Sequence, residues 1–184
     1  MQARIAAILL ALPLLAAAAV CPPHGDSPDQ RLWALDEMKN RTLAPGIDSS
    51  ITLEAILAPG NDRERWKDSQ GAHLTGYVLL VKRGGLETAN CHSASARDVH
   101  IVLGLHPKDD PKNGLIVEVT PAFQPSVGTV AQLRKLKGKR VTVDGWMFFD
   151  EEHWDNAVHT GHAKRLWRAT AWEVHPVTGI SPAN

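Results

Sequence analysis

Between residues 74 and 177 the chain repeats one pattern, short apolar and polar alternation closed by turn residues, and a helical spacing interrupts it only once. That order limits the fold more than any single motif does. Residues 74–82 alternate as a strand until Arg83-Gly84-Gly85, and a polar loop through Asn90, Cys91 and His92 leads to a second strand over 98–105. Asp109-Asp110-Pro111-Lys112-Asn113-Gly114 is turn chemistry, so residues 115–120 return as the other arm of a hairpin and stop at Pro121. Thr129 then caps a short helix with Val130, Leu133 and Leu136 on one face, ended by Gly138. A fourth strand over 140–149, a long loop rich in His and Trp, and a fifth strand over 168–177 complete the series. A mostly β domain follows, because each alternating strand buries one face and needs the others to cover it.

Three strands, a helix and two strands is the order of the OB-fold, the five-stranded Greek-key barrel with its helix between strands three and four. Leu136-Lys137-Gly138-Lys139-Arg140-Val141-Thr142-Val143-Asp144-Gly145-Trp146 resembles the L-x-G-x-x-V-x-V-x-G segment that many OB domains carry from that helix into strand four. With Thr75-Gly76-Tyr77-Val78 and Trp172-Glu173-Val174-His175-Pro176-Val177-Thr178, the chain also resembles an uncharacterised family of exported bacterial OB-fold proteins, without an established activity. The resemblance implies a barrel over 74–178, an N-terminal extension over 20–73 and a tail over 179–184.

Two elements are expected in the extension. Ser27-Pro28-Asp29-Gln30 has the form of a capping box with Pro at the first helical position, and Leu32, Leu35 and Met38 follow at helical spacing. Residues 51–57 alternate Ile51, Leu53, Ala55 and Leu57 against Thr52, Glu54 and Ile56, which reads as an extra strand.

Ahead of them, Arg4, an apolar run from Ile5 to Leu15 and the small residues Ala16 to Ala19 form a secretory signal peptide over 1–19, too short in its apolar run to span a bilayer. The expected compartment is therefore periplasmic or secreted. Val20 precedes Cys21 where lipid-anchored families need a small residue, which argues against a lipid anchor. Cys21 and Cys91 are the two cysteines. Export permits one disulfide between them, tying the mature N-terminus onto the domain; the alternative is two unpaired thiols, and spacing does not choose.

The 184 residues, 43% hydrophobic and 22% charged, suit one compact domain with short extensions. Twenty basic side chains balance twenty acidic ones, so no chain-wide basic field draws in nucleic acid. Function then has to be sought in particular side chains.

OB-folds bind on the face of strands two and three and through the loops joining strands one to two and four to five. Val99, Ile101 and Leu103 form the inward set of strand two, and Leu115, Val117 and Val119 that of strand three. Asp98, His100, Glu118 and Thr120 are left on the outer face as a binding surface, joined by Asn90 and His92 from the first loop and Trp154 from the last. The plainer interpretation is a solvated sheet face with weak cross-strand pairs.

His153, His159 and His162, with neighbouring carboxylates, supply donors that zinc or another divalent metal accepts, although their spacing matches no established zinc motif. If they hold a metal, Asp98 or Glu118 would act as general base on its water. His175, before Pro176, reads as a packed or hydrogen-bonding residue. Trp146 and Trp172 lie inside strands; Trp66, Trp154 and Trp167 either cap the barrel ends or stack bases.

No Gly-x-Ser-x-Gly elbow, His-Glu-x-x-His or phosphate-binding Gly loop is present. Secreted thermonucleases share the OB barrel, but their motif is reduced here to Gly46-Ile47-Asp48, outside the barrel. The sequence therefore points to an exported, non-enzymatic binding module whose ligand is single-stranded nucleic acid, a glycan, a peptide or an envelope protein. The alternative is a metal-dependent, nuclease-like hydrolase.

Overall fold

The computed structural model describes residues 21–63, 65–160 and 165–183. The expected signal peptide at 1–19 and the candidate ligand His162 lie outside them. Among the described residues no helix is long and apolar enough to cross a membrane.

Five strands close into one barrel: β1 (Gly71–Arg83), β2 (Val99–Gly104), β3 (Leu115–Val119), β4 (Arg140–Phe149) and β5 (Trp172–Pro182). Around the barrel they run β1-β2-β3-β5-β4 and back to β1, with every neighbouring pair antiparallel except the parallel β3 and β5. The long first strand makes closure possible. Its residues from Gly71 to Tyr77 pair with β4, those from Tyr77 to Arg83 pair with β2, and the register shifts between Val78 and Leu80.

The inward sets expected for strands two and three are buried as the alternation requires: Val99, Ile101, Leu103, Leu115, Val117 and Val119 are all at most 1% exposed. Each contributes roughly 1.5–3 kcal/mol of burial. Leu133 closes one end of this core from the connection between β3 and β4. Two short helices, α3 (Gln124–Val127) and α4 (Val130–Leu133), form that connection, and Thr129 and Gln132 cap α4 reciprocally, as the sequence suggests. Gly138, at φ +78°, ends the segment in a conformation that costs a residue with a β-carbon about 1 kcal/mol or more.

The extension departs from expectation in two places. Helix α1 (Trp33–Lys39) is preceded by a 3-10 turn capped by Asp29, whose side chain accepts from the Arg31 N–H, while Ser27 Oγ accepts from the Asp29 N–H one turn earlier. The expected strand at 51–57 is a helix, α2 (Leu53–Leu57), capped by Thr52, which accepts from the Ala55 N–H. Its buried pair is Leu53 and Ile56, three residues apart, a helical spacing; a period of two sets Ile56 on the opposite face from Leu53, and over so short a segment the alternation of Ile51, Leu53, Ala55 and Leu57 hides the helix. Gly76 lets α2 dock, since a β-carbon there would lie 2.5 Å from Leu53 Cδ2.

Strand ends differ as well. β1 begins at Gly71 rather than 74, and β5 spans Trp172–Pro182 rather than 168–177, so most of the expected tail pairs with β4.

Cys21 and Cys91 form the disulfide that the sequence left open, with Cα atoms 5.7 Å apart. Closing a loop of 70 residues in the unfolded chain stabilises the fold by about 4 kcal/mol in the chain-entropy treatment. Asn40 Nδ2 reinforces the tie by donating to the carbonyls of Pro23 and Ala89. The N-terminal strap and the loop after β1 are thereby held together over one face of the barrel.

Candidate functional site

Alternation that sends Val99, Val117, Trp172 and Val174 into the barrel sends His100, Glu118, Glu173 and His175 to its outer side, where β2, β3 and β5 lie next to one another. A bulge in β5, two residues against one of β4 between Val174 and Val177, falls at His175. These four side chains do not meet open solvent. Lys39 from the end of α1, Glu87 from the loop after β1, and Asp150 and Arg168 from the connection between β4 and β5 stand around them. Together they enclose a cavity of about 460 Å³.

The solvated interpretation of this face is thus corrected: Asp98, Glu118 and Thr120 are 1–4% exposed, while His175 is buried as a packed residue, 1% exposed. The physical reason is the cover, because the disulfide-tied extension packs over this side of the barrel and takes it out of water.

The charges within the cavity are dense and mutually held. Arg168 donates to Asp150 Oδ2 at 2.6 Å and to Glu173 Oε1 at 2.7 Å, and Lys39 Nζ lies 3.0 Å from Glu152 and 3.6 Å from Glu87. His100 Nε2 is 3.1 Å from Glu118 Oε2 and 3.7 Å from Glu87 Oε1. His175 lies between carboxylates, Nε2 3.4 Å from Asp98 and Nδ1 3.6 Å from both Glu118 and Glu173.

Burial opposes charging of His100, but the Glu118 carboxylate, with Glu87, outweighs it and raises the imidazole to about 10. Burial likewise opposes charge on His175, and Glu118, Asp98 and Glu173 raise it to about 10. Glu87 is pushed down to about 2, its burial outweighed by His100 and Lys39. Glu118 moves the other way, raised by burial and by the like charge of Glu173 against the pull of the histidines.

Several of these groups lack hydrogen bonds. Asp98 Oδ2, His100 Nε2, Thr120 Oγ1 and both ring nitrogens of His175 are buried without a partner of acceptable geometry. Native structures leave few such atoms, each carrying a desolvation cost of about 1–3 kcal/mol.

The structure brings together some of the sequence candidates and separates others. Asp98, His100 and Glu118 converge, and Asn90 Nδ2 donates to Asp98 Oδ1 at 2.9 Å from behind the cavity. His92 lies at the mouth, paired with Asp26, and adjoins Cys91, both in the left-handed region. Trp154 is elsewhere, packed against the core with the Arg63 guanidinium 4.4 Å above its ring. Trp66 packs against the core too, under Arg65, while Trp167 lines the cavity.

His153 and His159 serve different carboxylates. His153 Nδ1 meets Asp150 at the cavity rim, whereas His159 Nδ1 meets the buried Asp62 at 3.1 Å. Asp62 forms a second polar cluster, accepting from Thr170 Oγ1 at 2.6 Å and from the Ala171 N–H at 2.8 Å. Its carbonyl accepts from the Trp172 indole N–H at 2.8 Å.

Lys39, Glu87, Arg168, Glu173 and His175 were not among the sequence candidates. Glu173 and His175 had a usable signal, since they alternate with the inward Trp172 and Val174. What sequence lacks is the pairing of β3 with β5, which sets them beside Glu118. Lys39 and Glu87 come from segments with no periodicity tied to the barrel.

In chemical terms the cavity offers two imidazoles converging on one carboxylate, with further carboxylates and two held cations around them. Such a set can bind a polar molecule, transfer protons or hold a cation. No family model, curated protein or solved structure matches the chain, so its function is read from this geometry.

Proposed function

We propose that the protein is an exported OB-fold binding protein that takes a small polar ligand into the cavity on the outer face of β2, β3 and β5. The observation that carries it is the set of buried, unpartnered polar atoms at His100 and His175, which line this cavity, with Asp98 against His175 behind it. Groups of this kind are stabilised by whatever enters and bonds to them. The strand order, the parallel β3 and β5 pair and the helical connection between β3 and β4 support an OB-fold, whose ligands lie on this face.

The cover changes the kind of ligand favoured. A volume of about 460 Å³ suits one small molecule or one unit of a polymer rather than a nucleic-acid strand lying across an open sheet. Lys39 and Arg168 are already held by carboxylates, so the site favours a ligand that both donates and accepts hydrogen bonds, such as a sugar or an amino acid, over a phosphate. Thermal denaturation of the mature protein against sugars, amino acids and nucleotides tests this. One of the first two classes should raise Tm in wild type and not in Glu118→Gln. No shift from any member, or an equal shift in the variant, would sink the proposal.

A second function, hydrolysis, is supported by the convergence of His100 and His175 on Glu118. Here Glu118 lines the cavity and would serve as base, while Asp98 is held behind it by Asn90. It requires turnover of a glycoside, phosphoester or peptide that Glu118→Gln abolishes with binding retained. A wild-type protein that turns over none of these is not a hydrolase of this kind.

A further inference from the structure

We propose that the cavity also holds a divalent transition-metal ion, ligated by Glu87, His100 and Glu118. The inference deepens the cavity proposal and rests on it. Its starting point is a conflict at a single atom. Glu118 Oε2 and Glu87 Oε1 approach the same nitrogen, His100 Nε2, at 3.1 and 3.7 Å. One ring nitrogen offers one proton or one lone pair, so it cannot serve both carboxylates by hydrogen bonding, and here it makes no hydrogen bond of acceptable geometry.

A cation seated among the three satisfies all of them. Bonds of about 2.0–2.2 Å to oxygen and imidazole nitrogen place neighbouring tetrahedral ligands about 3.3–3.6 Å apart. The two distances to Nε2 bracket that span, and donor atoms of all three residues lie within 4.8 Å of one another.

The donors are positioned by the fold. His100 and Glu118 are directly opposite in the β2 and β3 register, and Glu87 comes from the loop tied down at Cys91. Gly84 keeps the neighbouring space open, since a β-carbon there would lie 2.7 Å from His100 Nε2.

A second observation points the same way. His175, 1% exposed and lining the same cavity, has no hydrogen bond at either ring nitrogen, and with Asp98 and Glu118 it forms another compact donor group. Glu118 belongs to both groups. An imidazole nitrogen among the donors favours zinc or iron over calcium, which takes oxygen ligands. Three protein ligands leave a coordination position for a molecule in the cavity, the arrangement of a reactive or ligand-binding metal rather than a closed structural one.

The test is calorimetric titration of zinc into tag-free mature protein stripped with chelator. One equivalent per chain should bind, and Glu87→Gln and His100→Gln should each weaken it at least tenfold, with His92→Ala and His153→Ala at the mouth unchanged. Glu87 is only half-buried, so Glu87→Gln keeps the fold, checked by circular dichroism, if His100→Gln does not. Absence of saturable binding overturns the metal site, as does binding that survives Glu87→Gln but is lost in the mouth variants. If zinc does not bind but chelated wild type still responds to the sugar and amino-acid panel, the metal falls and the cavity proposal stands; if neither zinc nor the panel binds, both fall.

Discussion

Among the described residues, the buried polar clusters around Asp62 and around Glu118 are built on opposite terms. Around Asp62, which is fully buried, each polar group has a partner: Thr170 and the Ala171 N–H on one oxygen, His159 and Arg65 on the other, and the Trp172 indole on the carbonyl. Around Glu118 the charges are as dense, but Asp98, His100, Thr120 and His175 carry atoms with no hydrogen bond. Burial of charge is therefore not what marks the candidate site. The Asp62 cluster pins a loop to the start of β5 and is complete as it stands; the Glu118 cluster is complete only with something added.

Breaking the satisfied cluster should have the largest effect on stability. Asp62→Ala leaves Thr170, the Ala171 N–H and His159 without their acceptor, and chemical denaturation should show a loss of about 4 kcal/mol. A loss below about 1 kcal/mol would mean that the cluster is not the structural tie described. The same chemical change made in both clusters sharpens the contrast. Thr170→Val removes a hydroxyl that donates to Asp62 and accepts from the Trp172 N–H, and should cost about 2 kcal/mol.

The pH dependence of stability belongs to the Glu118 cluster. His100 and His175 are raised to about 10 from 6.5, so their contribution is fully present below about 6.5 and is lost as pH rises through 10. Glu87, lowered to about 2 from 4.5, contributes above about 4.5 and loses that contribution as pH falls through 2. Denaturation of chelated protein should show stability falling from pH 7 to pH 10, and a flat profile would contradict the paired histidines. The smallest effect is expected at Thr120, whose buried hydroxyl has no partner: Thr120→Val should be neutral or stabilising by up to about 1 kcal/mol, opposite in sign to Thr170→Val.

Much of the barrel was legible because β2 and β3 place an inward apolar residue at every second position. The inward residues of β2 and β3, the turn between them and the Thr129 cap all follow from local chemistry. The segment at 51–57 was not, because five helical residues carry too little periodicity to separate a helix from a strand. Of the site, Asp98, His100 and Glu118 could be placed together from the register of one hairpin. Their burial could not, since it depends on a cover from the N-terminal segment and on a disulfide whose formation depends on geometry. Glu173 and His175 were visible as outward residues, yet their nearness to Glu118 arises from the parallel pairing of β3 with β5, which joins Val117 to Val174, 57 positions further along the chain.

The central claim is that the unsatisfied cluster completes itself by binding. A crystal structure of the zinc-soaked protein, with anomalous data at the zinc edge, tests it most directly. Anomalous density among Glu87, His100 and Glu118 is the expected result. Density confined to His92 or His153 at the mouth, with ordered waters bonding every orphaned atom of Asp98, His100 and His175, would contradict it.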